Sequence, residues 1–407
     1  MVHTAIDRED ATMTFRVSRR AVLGAALLLA GGMPALAQDN SQPIRIGWLS
    51  SLTGPLSSAA IAENVGVQFA VDEINAAGGI NGRKLELVTR DTMGDPTKAV
   101  NFAQQLAFSE KVDFVIGPVN SGESLAAVPI LSRAGIPNII IGTVDELTNP
   151  QLYPRAFRAI NTNTQWVGSA NAYAVDKLKA SKIAIIGDTT GYGTATVKQA
   201  EALLKERGIE PVYSALVDAN KTDLTDELGK ARAAGAEVVM PWSAATGLLG
   251  RILNTRGEMN WDVPVVGHPA IMGTPIRALL NKPEYWENTY AAGYASTTYD
   301  ETGKFPERTQ ALMDAVRPKL GGKIDFTFWW IALGYDTVKI IEHAVKTAGS
   351  TDGEAVQKAL EDTKDLKLVY ATYSWGPEDR NGFPDADIVI NLANTFRDGG
   401  FKAAPNQ

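Results

Sequence analysis

Two short stretches bring hydroxyl groups and free peptide N–H groups to places where a strand gives way to a helix. Gly117-Pro118-Val119-Asn120-Ser121-Gly122 follows the apolar strand pattern Val112–Ile116 and opens a helix. A helix start presents unpaired N–H groups and a partial positive charge, which is the chemistry that holds a carboxylate. Asn120 and Ser121 would add polar side chains there, unless Ser121 only caps its helix. Gly142-Thr143-Val144-Asp145 follows the next strand pattern, Asn138–Ile141, and offers the Thr143 hydroxyl beside the bare backbone of Gly142. In the second half, Gly187-Asp188-Thr189-Thr190-Gly191-Tyr192-Gly193 makes another such turn, with Tyr192 either facing a ligand or half-covered by its own helix. Trp242 follows the strand pattern Glu237–Met240 after Pro241, and His268 follows Val263–Val266. Trp166 begins a helix, where it would either line a cleft or pack between domains.

These are groups that bind; support for catalysis is thin. Of the three histidines, His3 lies in an N-terminal preface, His343 sits in a helical pattern, and only His268 stands at a strand end. That set has no usual zinc spacing, so no metal site is expected. Motifs of the forms G-x-S-x-G, H-E-x-x-H and G-x-x-x-x-G-K-[ST] are absent. Gly191-Tyr192-Gly193 imitates a dinucleotide loop, but Thr196 stands where the third glycine belongs, so no nucleotide cofactor is expected.

The elements that must position these groups alternate along the chain. Strand patterns are Ile44–Ser50, Lys84–Thr89, Val112–Ile116, Asn138–Ile141, Lys182–Ile186, Glu210–Leu216, Glu237–Met240 and Val263–Val266. Helical patterns are Ala60–Ala76, Pro96–Ser109, Leu125–Ala134, Thr196–Arg207, Thr225–Ala234 and Ala245–Thr255. Short apolar strands between helices predict parallel sheets covered on both faces. Two such open sheets put their ligand-binding edges at the carboxyl ends of the strands, facing one another across a cleft.

Length and composition agree with two ordinary domains: 407 residues, 45% hydrophobic and 21% charged. The chain has no cysteine, which excludes disulfides and thiolate chemistry, and a net charge of -7 without basic blocks, which argues against nucleic acid. Ser18-Arg19-Arg20-Ala21-Val22-Leu23, the apolar run Ala21–Ala30 and Ala35-Leu36-Ala37 predict a twin-arginine-type signal peptide over residues 1–37, cleaved near Ala37. A general secretory signal that happens to hold two arginines is the alternative, and Met13 competes with Met1 as the start. Export of a cysteine-free chain with no further spanning stretch predicts a periplasmic location.

Residues 66–99 read GVQFAVDEINAAGGINGRKLELVTRDTMGDPTKA. Local chemistry reads this as helix, glycine stop at Gly78-Gly79, Asn81-Gly82 turn, strand, and a second helix opened by Asp95-Pro96. The wording closely resembles the leucine/isoleucine/valine-binding protein family, the type I periplasmic solute receptors of ABC importers. The resemblance runs from Ile44 to Trp375-Gly376, with a second good match at GYDTVKIIEHAVKTAG, residues 334–349. It implies two doubly wound, Rossmann-like α/β lobes with a central cleft and three interlobe crossings, near Asn161–Asn163, Ala291–Gly293 and Ala371–Ser374. Lobe 1 would then be 43–160 plus 291–372, and lobe 2 would be 161–290 plus 373–407.

By the same resemblance, Ser121 and Thr143 hold a ligand's carboxylate, while Tyr192 and Trp242 cover the rest of it. Amino-acid binders of the family also carry an acid after a later second-lobe strand. Here that segment reads Val266-Gly267-His268-Pro269-Ala270-Ile271 and contains none. An ammonium enclosed without a counter-charge would lose several kcal/mol to desolvation, about as much as any buried unpaired ion. The expected ligand is therefore a small carboxylate-bearing molecule: an aromatic or aliphatic acid, or an amino acid should Asp188 serve the ammonium. An amide- or urea-type ligand is a further alternative. The implied partner is an inner-membrane ABC permease, and the protein is expected to be a monomer without enzymatic activity. A sensor subunit presenting occupancy to a receptor is the other binding role. A secreted α/β hydrolase is disfavoured, because no nucleophile elbow is present.

Overall fold

A computed structural model describes residues 42–54 and 57–405. The expected signal peptide, its cleavage site and both candidate start residues lie outside the described residues. The chain opens with β1 (Ile44–Ser50), α1 (Ser57–Ala76), β2 (Leu85–Asp91), α2 (Pro96–Gln104), β3 (Phe114–Ile116), α3 (Ser121–Arg133), β4 (Asn138–Ile140) and β5 (Ala156–Arg158). These strands form a wholly parallel sheet of order β2-β1-β3-β4-β5. Crossover helices are what a parallel sheet requires, and the nearly continuous burial of β1, β3, β4 and β5 shows them covered on both faces.

Local chemistry explains the joints. Gly78 and Gly79 adopt positive φ after α1, and Asn81-Gly82 turns the chain in the same left-handed region. The Asn75 side chain then pins β2, accepting from Leu85 N at 2.7 Å and donating to Leu85 O at 2.9 Å. Asp95 caps α2 with bonds from Thr97 N and Lys98 N, and Pro96 fills the first helical position, where no N–H is needed. The helical pattern read to Ser109 does continue there, as a π-type turn over Gln105–Ser109.

The second sheet is built from α4 (Asn163–Ala172), β6 (Ile183–Asp188), α5 (Gly191–Glu206), β7 (Tyr213–Val217), α6 (Thr225–Ala233), β8 (Val238–Trp242), α7 (Thr246–Glu258), β9 (Val265–Gly267), α8 (Thr274–Leu279), β10 (Thr289–Tyr294) and β11 (Thr298–Tyr299). Then come α9 (Glu307–Val316), α10 (Phe328–Ala348), α11 (Gly353–Glu361), β12 (Leu366–Lys367), β13 (Thr372–Tyr373), β14 (Ile388–Arg397) and β15 (Gly400–Ala403). The sheet order is β11-β15-β14-β10-β9-β8-β6-β7. It is parallel from β7 to β10, but β14 joins antiparallel to β10, and β15 antiparallel to β14.

α10 returns the chain to the first lobe and packs along α1. Two glycines allow the approach: a Cβ on Gly66 would lie 1.9 Å from Ile331 O, and one on Gly334 would lie 2.2 Å from Glu63 O. Two expected crossings are displaced. Ala291–Gly293 lies inside β10, a strand of the second sheet, so the chain leaves that sheet only after β11. Asn381 bridges Arg158 at the edge of the first sheet, so the segment from Ala371 stays beside the first lobe and re-enters the second at β14. Hydrophobic pattern alone carries no signal for either shift, because both depend on pairing between residues far apart in sequence.

Candidate functional site

The carboxyl ends of the two sheets face one another, and a cavity with about 400 Å³ of empty volume lies between them. First-lobe elements contribute Ala59 of α1, Val119, Asn120 and Ser121 after β3, Ile141 and Thr143 after β4, Ile160 after β5, and Trp330 of α10. The second lobe contributes Trp166 of α4, Tyr192 of α5, Ala244 after β8, and His268 after β9. Six expected site residues thus meet in one place: Asn120, Ser121, Thr143, Trp166, Tyr192 and His268.

The turn before α3 is set by Gly117, whose φ is +87° and whose Cβ, if present, would lie 2.3 Å from Leu49 O. Asn120 is the cap of α3, accepting from Gly122 N at 2.8 Å. Ser121 is therefore free of capping. Its Oγ accepts instead from Thr143 N at 3.0 Å and Val144 N at 3.3 Å, which welds the two strand-end loops together. With the oxygen engaged as acceptor, the Ser121 proton is left to donate toward the cavity. Thr143 O accepts from Asn163 N at 2.7 Å, tying the same loop to the start of α4.

Tyr192 stands on the first turn of α5, capped by Thr190, whose Oγ1 accepts from Gly193 N at 3.1 Å. Its hydroxyl is buried near Thr196 without making a hydrogen bond, and burial pushes the phenol pKa well up, so it stays protonated. His268 is enclosed by the Trp166 ring at 4.9 Å and the Tyr192 ring at 5.2 Å, both edge-on. Burial lowers its pKa to about 3. The imidazole is therefore neutral, and because Nδ1 accepts from Ala270 N at 3.1 Å, its proton sits on Nε2. Trp166 is held by a capping box between Thr162 and Gln165, and it also packs against Trp329 and Tyr294, so it both lines the cavity and joins the lobes.

Two expected residues fall elsewhere. Trp242 ends β8 fully buried in the core, and Ala244, two residues on, reaches the cavity instead. Gly142 backs the site without lining it: a Cβ there would meet Ser124 Oγ at 2.7 Å, and its carbonyl accepts from Arg158. Trp330 was not singled out from the sequence, although Phe326-Thr327-Phe328-Trp329-Trp330 is an aromatic run at the head of a strong helical pattern. Asp188 accepts from Thr190 N at 2.9 Å and Ser243 Oγ at 2.5 Å; it does not line this cavity, but it lines the adjoining space between the lobes, which shares Asn120 and Ala244 with it. No lining residue is Asp, Glu, Lys or Arg.

The lobes touch beside the cavity. The starts of α3 and α5 meet at Gly122 and Gly191, where a Cβ on Gly191 would lie 2.8 Å from Gly122 Cα. Both helix N-termini thereby direct partial positive charge into the cleft.

A fold of two α/β lobes, three crossings and a cleft at the strand ends is that of a type I periplasmic binding protein. The family described as periplasmic binding protein matches residues 43–390, and the chain belongs to it. The Leu/Ile/Val-binding protein homolog 3 of Brucella melitensis is 29% identical over 354 residues, covering 85% of this chain and 90% of that protein. The branched-chain amino acid transporter substrate binding protein LivJ of Streptococcus pneumoniae, solved in complex with isoleucine, is similar at a TM-score of 0.76 and 27% identity, covering 89% of this chain and 98% of that one. A solute binding protein of an ABC transporter from Rhodopseudomonas palustris BisB5, solved with 3,4-dihydroxy benzoic acid, has a TM-score of 0.72, with 86% of this chain and 93% of that one covered; at 19% identity it shows the shared fold alone. Members of the family are solute-binding proteins rather than enzymes. Among the described residues, no helix is long and apolar enough to cross a membrane.

Proposed function

We propose that this protein is the periplasmic receptor of an ABC importer and closes over a small carboxylate-bearing ligand that lacks an ammonium group. One observation carries the ligand class: the cavity offers hydrogen-bond donors and aromatic faces, and no charged side chain lines it. The helix start at Ser121 and the Thr143 loop suit a carboxylate. The rings of Tyr192, Trp166 and Trp330 suit a flat or apolar body, and the Nε2–H of His268 is a neutral donor for a hydroxyl or carbonyl on it. An amino acid would leave its ammonium desolvated beside neutral groups. The isoleucine-bound relative keeps that class in the test.

The measurement is a thermal-shift panel on residues 38–407 with leucine, isoleucine, benzoate, 3,4-dihydroxybenzoate, aliphatic carboxylates and their amides. A ligand present at about 100 times its dissociation constant adds about 2.7 kcal/mol of stability. Stabilisation by amine-free carboxylates is expected. Stabilisation by leucine or isoleucine alone would overturn the ligand class, while leaving the receptor role intact.

A further inference from the structure

We infer that Arg158 is a positioning residue for the anion-binding loop: it holds the peptide units around Thr143, whose N–H groups are bonded to Ser121 Oγ, so that the Ser121 hydroxyl is set to donate to a carboxylate. This rests on the carboxylate reading above.

Arg158 ends β5 fully buried behind the Gly142–Thr148 loop. Its guanidinium donates to Gly142 O, to Val144 O at 2.7 Å, to Asp145 O at 3.4 Å, to Thr148 Oγ1 at 3.3 Å and, through Nε, to Asn381 Oδ1 at 2.9 Å. Thr143 is thus bracketed by carbonyls that one side chain holds. The Gly142–Thr143 peptide is bonded at both ends, its C=O to Arg158 and its N–H to Ser121 Oγ. A charged donor on the carbonyl polarises that peptide and strengthens the bond its N–H gives to Ser121 Oγ, which in turn makes the Ser121 hydroxyl a stronger donor.

No carboxylate of the described residues lies within ion-pair distance of Arg158; Asp145 and Asp379 act on it only from farther away. Burial lowers its pKa only to about 10, so it carries its charge at neutral pH. Positive charge thereby sits behind the end of the cleft that would receive an anion. The same residue fastens the third crossing: Arg158 N donates to Arg380 O at 2.8 Å, and Arg158 O accepts from Gly382 N at 3.2 Å and Trp375 Nε1 at 3.1 Å.

A built-in comparator separates this role from mere scaffolding. Arg256 is also buried and also donates to three carbonyls: Val263 O at 3.1 Å, Tyr285 O at 2.6 Å and Glu287 O at 2.9 Å. None of these residues lines the cavity or adjoins in sequence one that does, whereas Gly142 and Val144 flank the lining residue Thr143.

The test uses residues 38–407 as wild type, Arg158→Gln, Arg158→Lys and Arg256→Gln. Calorimetric affinities are measured for 3,4-dihydroxybenzoate and isoleucine, each against its carboxamide, with hydrogen exchange of the 142–148 segment read on the unliganded proteins. Arg158→Gln is expected to reduce the acid-over-amide preference about tenfold, and Arg158→Lys, which keeps the charge, by about threefold or less. Arg256→Gln is expected to leave the preference and the loop's exchange unchanged while lowering the melting temperature. Equal preferences in Arg158→Gln and Arg256→Gln would overturn the inference. Should wild type bind neither acid better than its amide, the carboxylate reading fails. Arg158 is then judged on exchange alone: faster exchange at 142–148 in the Arg158 variants than in Arg256→Gln supports the positioning role, and equal rates overturn it.

Discussion

On its first-lobe side the cavity wall is made mostly of polar and aliphatic side chains, with Ser121 at the start of α3, Thr143 on the neighbouring loop, Ala59, Ile141 and Ile160, and with Trp330 of α10 as its one ring. On the second-lobe side it is made of rings, with His268 edge-on to both Tyr192 and Trp166. On the proposed function, the first jaw would recognise through a hydroxyl that distant residues hold in place, and the second through the shapes of side chains. Damage should therefore behave differently. A change in the first jaw removes directed hydrogen bonds to charge, whereas a change in the second alters fit.

The largest expected effect is at Ser121. Its Oγ joins two loops and its proton is left to donate into the cavity, so on the proposed reading Ser121→Ala removes a bond to a charged group and frees two N–H groups together. A loss of about 1.5–3 kcal/mol, or about ten- to hundredfold in affinity for a carboxylate probe, is expected by calorimetry. A loss under about twofold would place the anion elsewhere in the cleft.

Next comes the contact where the jaws meet. Neither Gly122 nor Gly191 has positive φ, so alanine is tolerated by the backbone at both. Gly191→Ala should leave the free protein's melting temperature unchanged, because the clash at 2.8 Å exists only when the lobes are together. Overpacking of about 1–2 kcal/mol would then fall wholly on the closed state and weaken binding about five- to thirtyfold. Small-angle scattering with a saturating probe checks the cause: a variant that closes as fully as wild type would refute it.

A smaller effect is expected in the aromatic jaw. The Tyr192 hydroxyl is buried without a hydrogen-bond partner. Tyr192→Phe removes an unsatisfied group, so stability should hold or rise slightly, and affinity should change less than about threefold. Tyr192→Ala, which removes the ring itself, should weaken binding by about 1 kcal/mol or more.

The two jaws also differ in how far the sequence announced them. Ser121, Thr143 and Tyr192 were legible because each follows a strand at the start of a helix, and chain order alone puts such residues at the cleft edge of a doubly wound sheet. Trp242 lies buried in the core rather than on the cavity wall, and the sequence could not report this: a side chain at a strand end faces the cavity or the core according to the strand's orientation in the sheet, which no local pattern shows. Trp330 was missed because it reaches the cavity only when α10 returns to pack on α1, a contact set by Gly66 and Gly334 across more than one domain's length of chain. Arg158 gave no signal, since a basic residue ending a short strand looks like any solvated one. The antiparallel addition of β14 and β15 was equally silent, and it moved two of the expected crossings.

The smallest expected effect is on the pH dependence of binding, and it sharpens the comparison most. His268 is the one lining residue with an ordinary pKa near neutrality, and burial depresses it to about 3. Tyr192 is held protonated well above its usual range, and no lining residue is a carboxylate. Affinity for a carboxylate probe should therefore change less than about twofold between about pH 5 and about pH 8. Stability should not be flat. The unfolded chain binds a proton at His268 below its ordinary pKa while the folded chain does not, so this group's contribution is present above that pKa and lost as pH falls toward about 3. At about pH 5 the difference is about 2 kcal/mol, read by denaturant unfolding against His268→Asn, whose amide oxygen can still accept from Ala270 N. An affinity that follows the stability downward would mean that the cavity opens to admit a proton, and that the ring jaw senses charge after all.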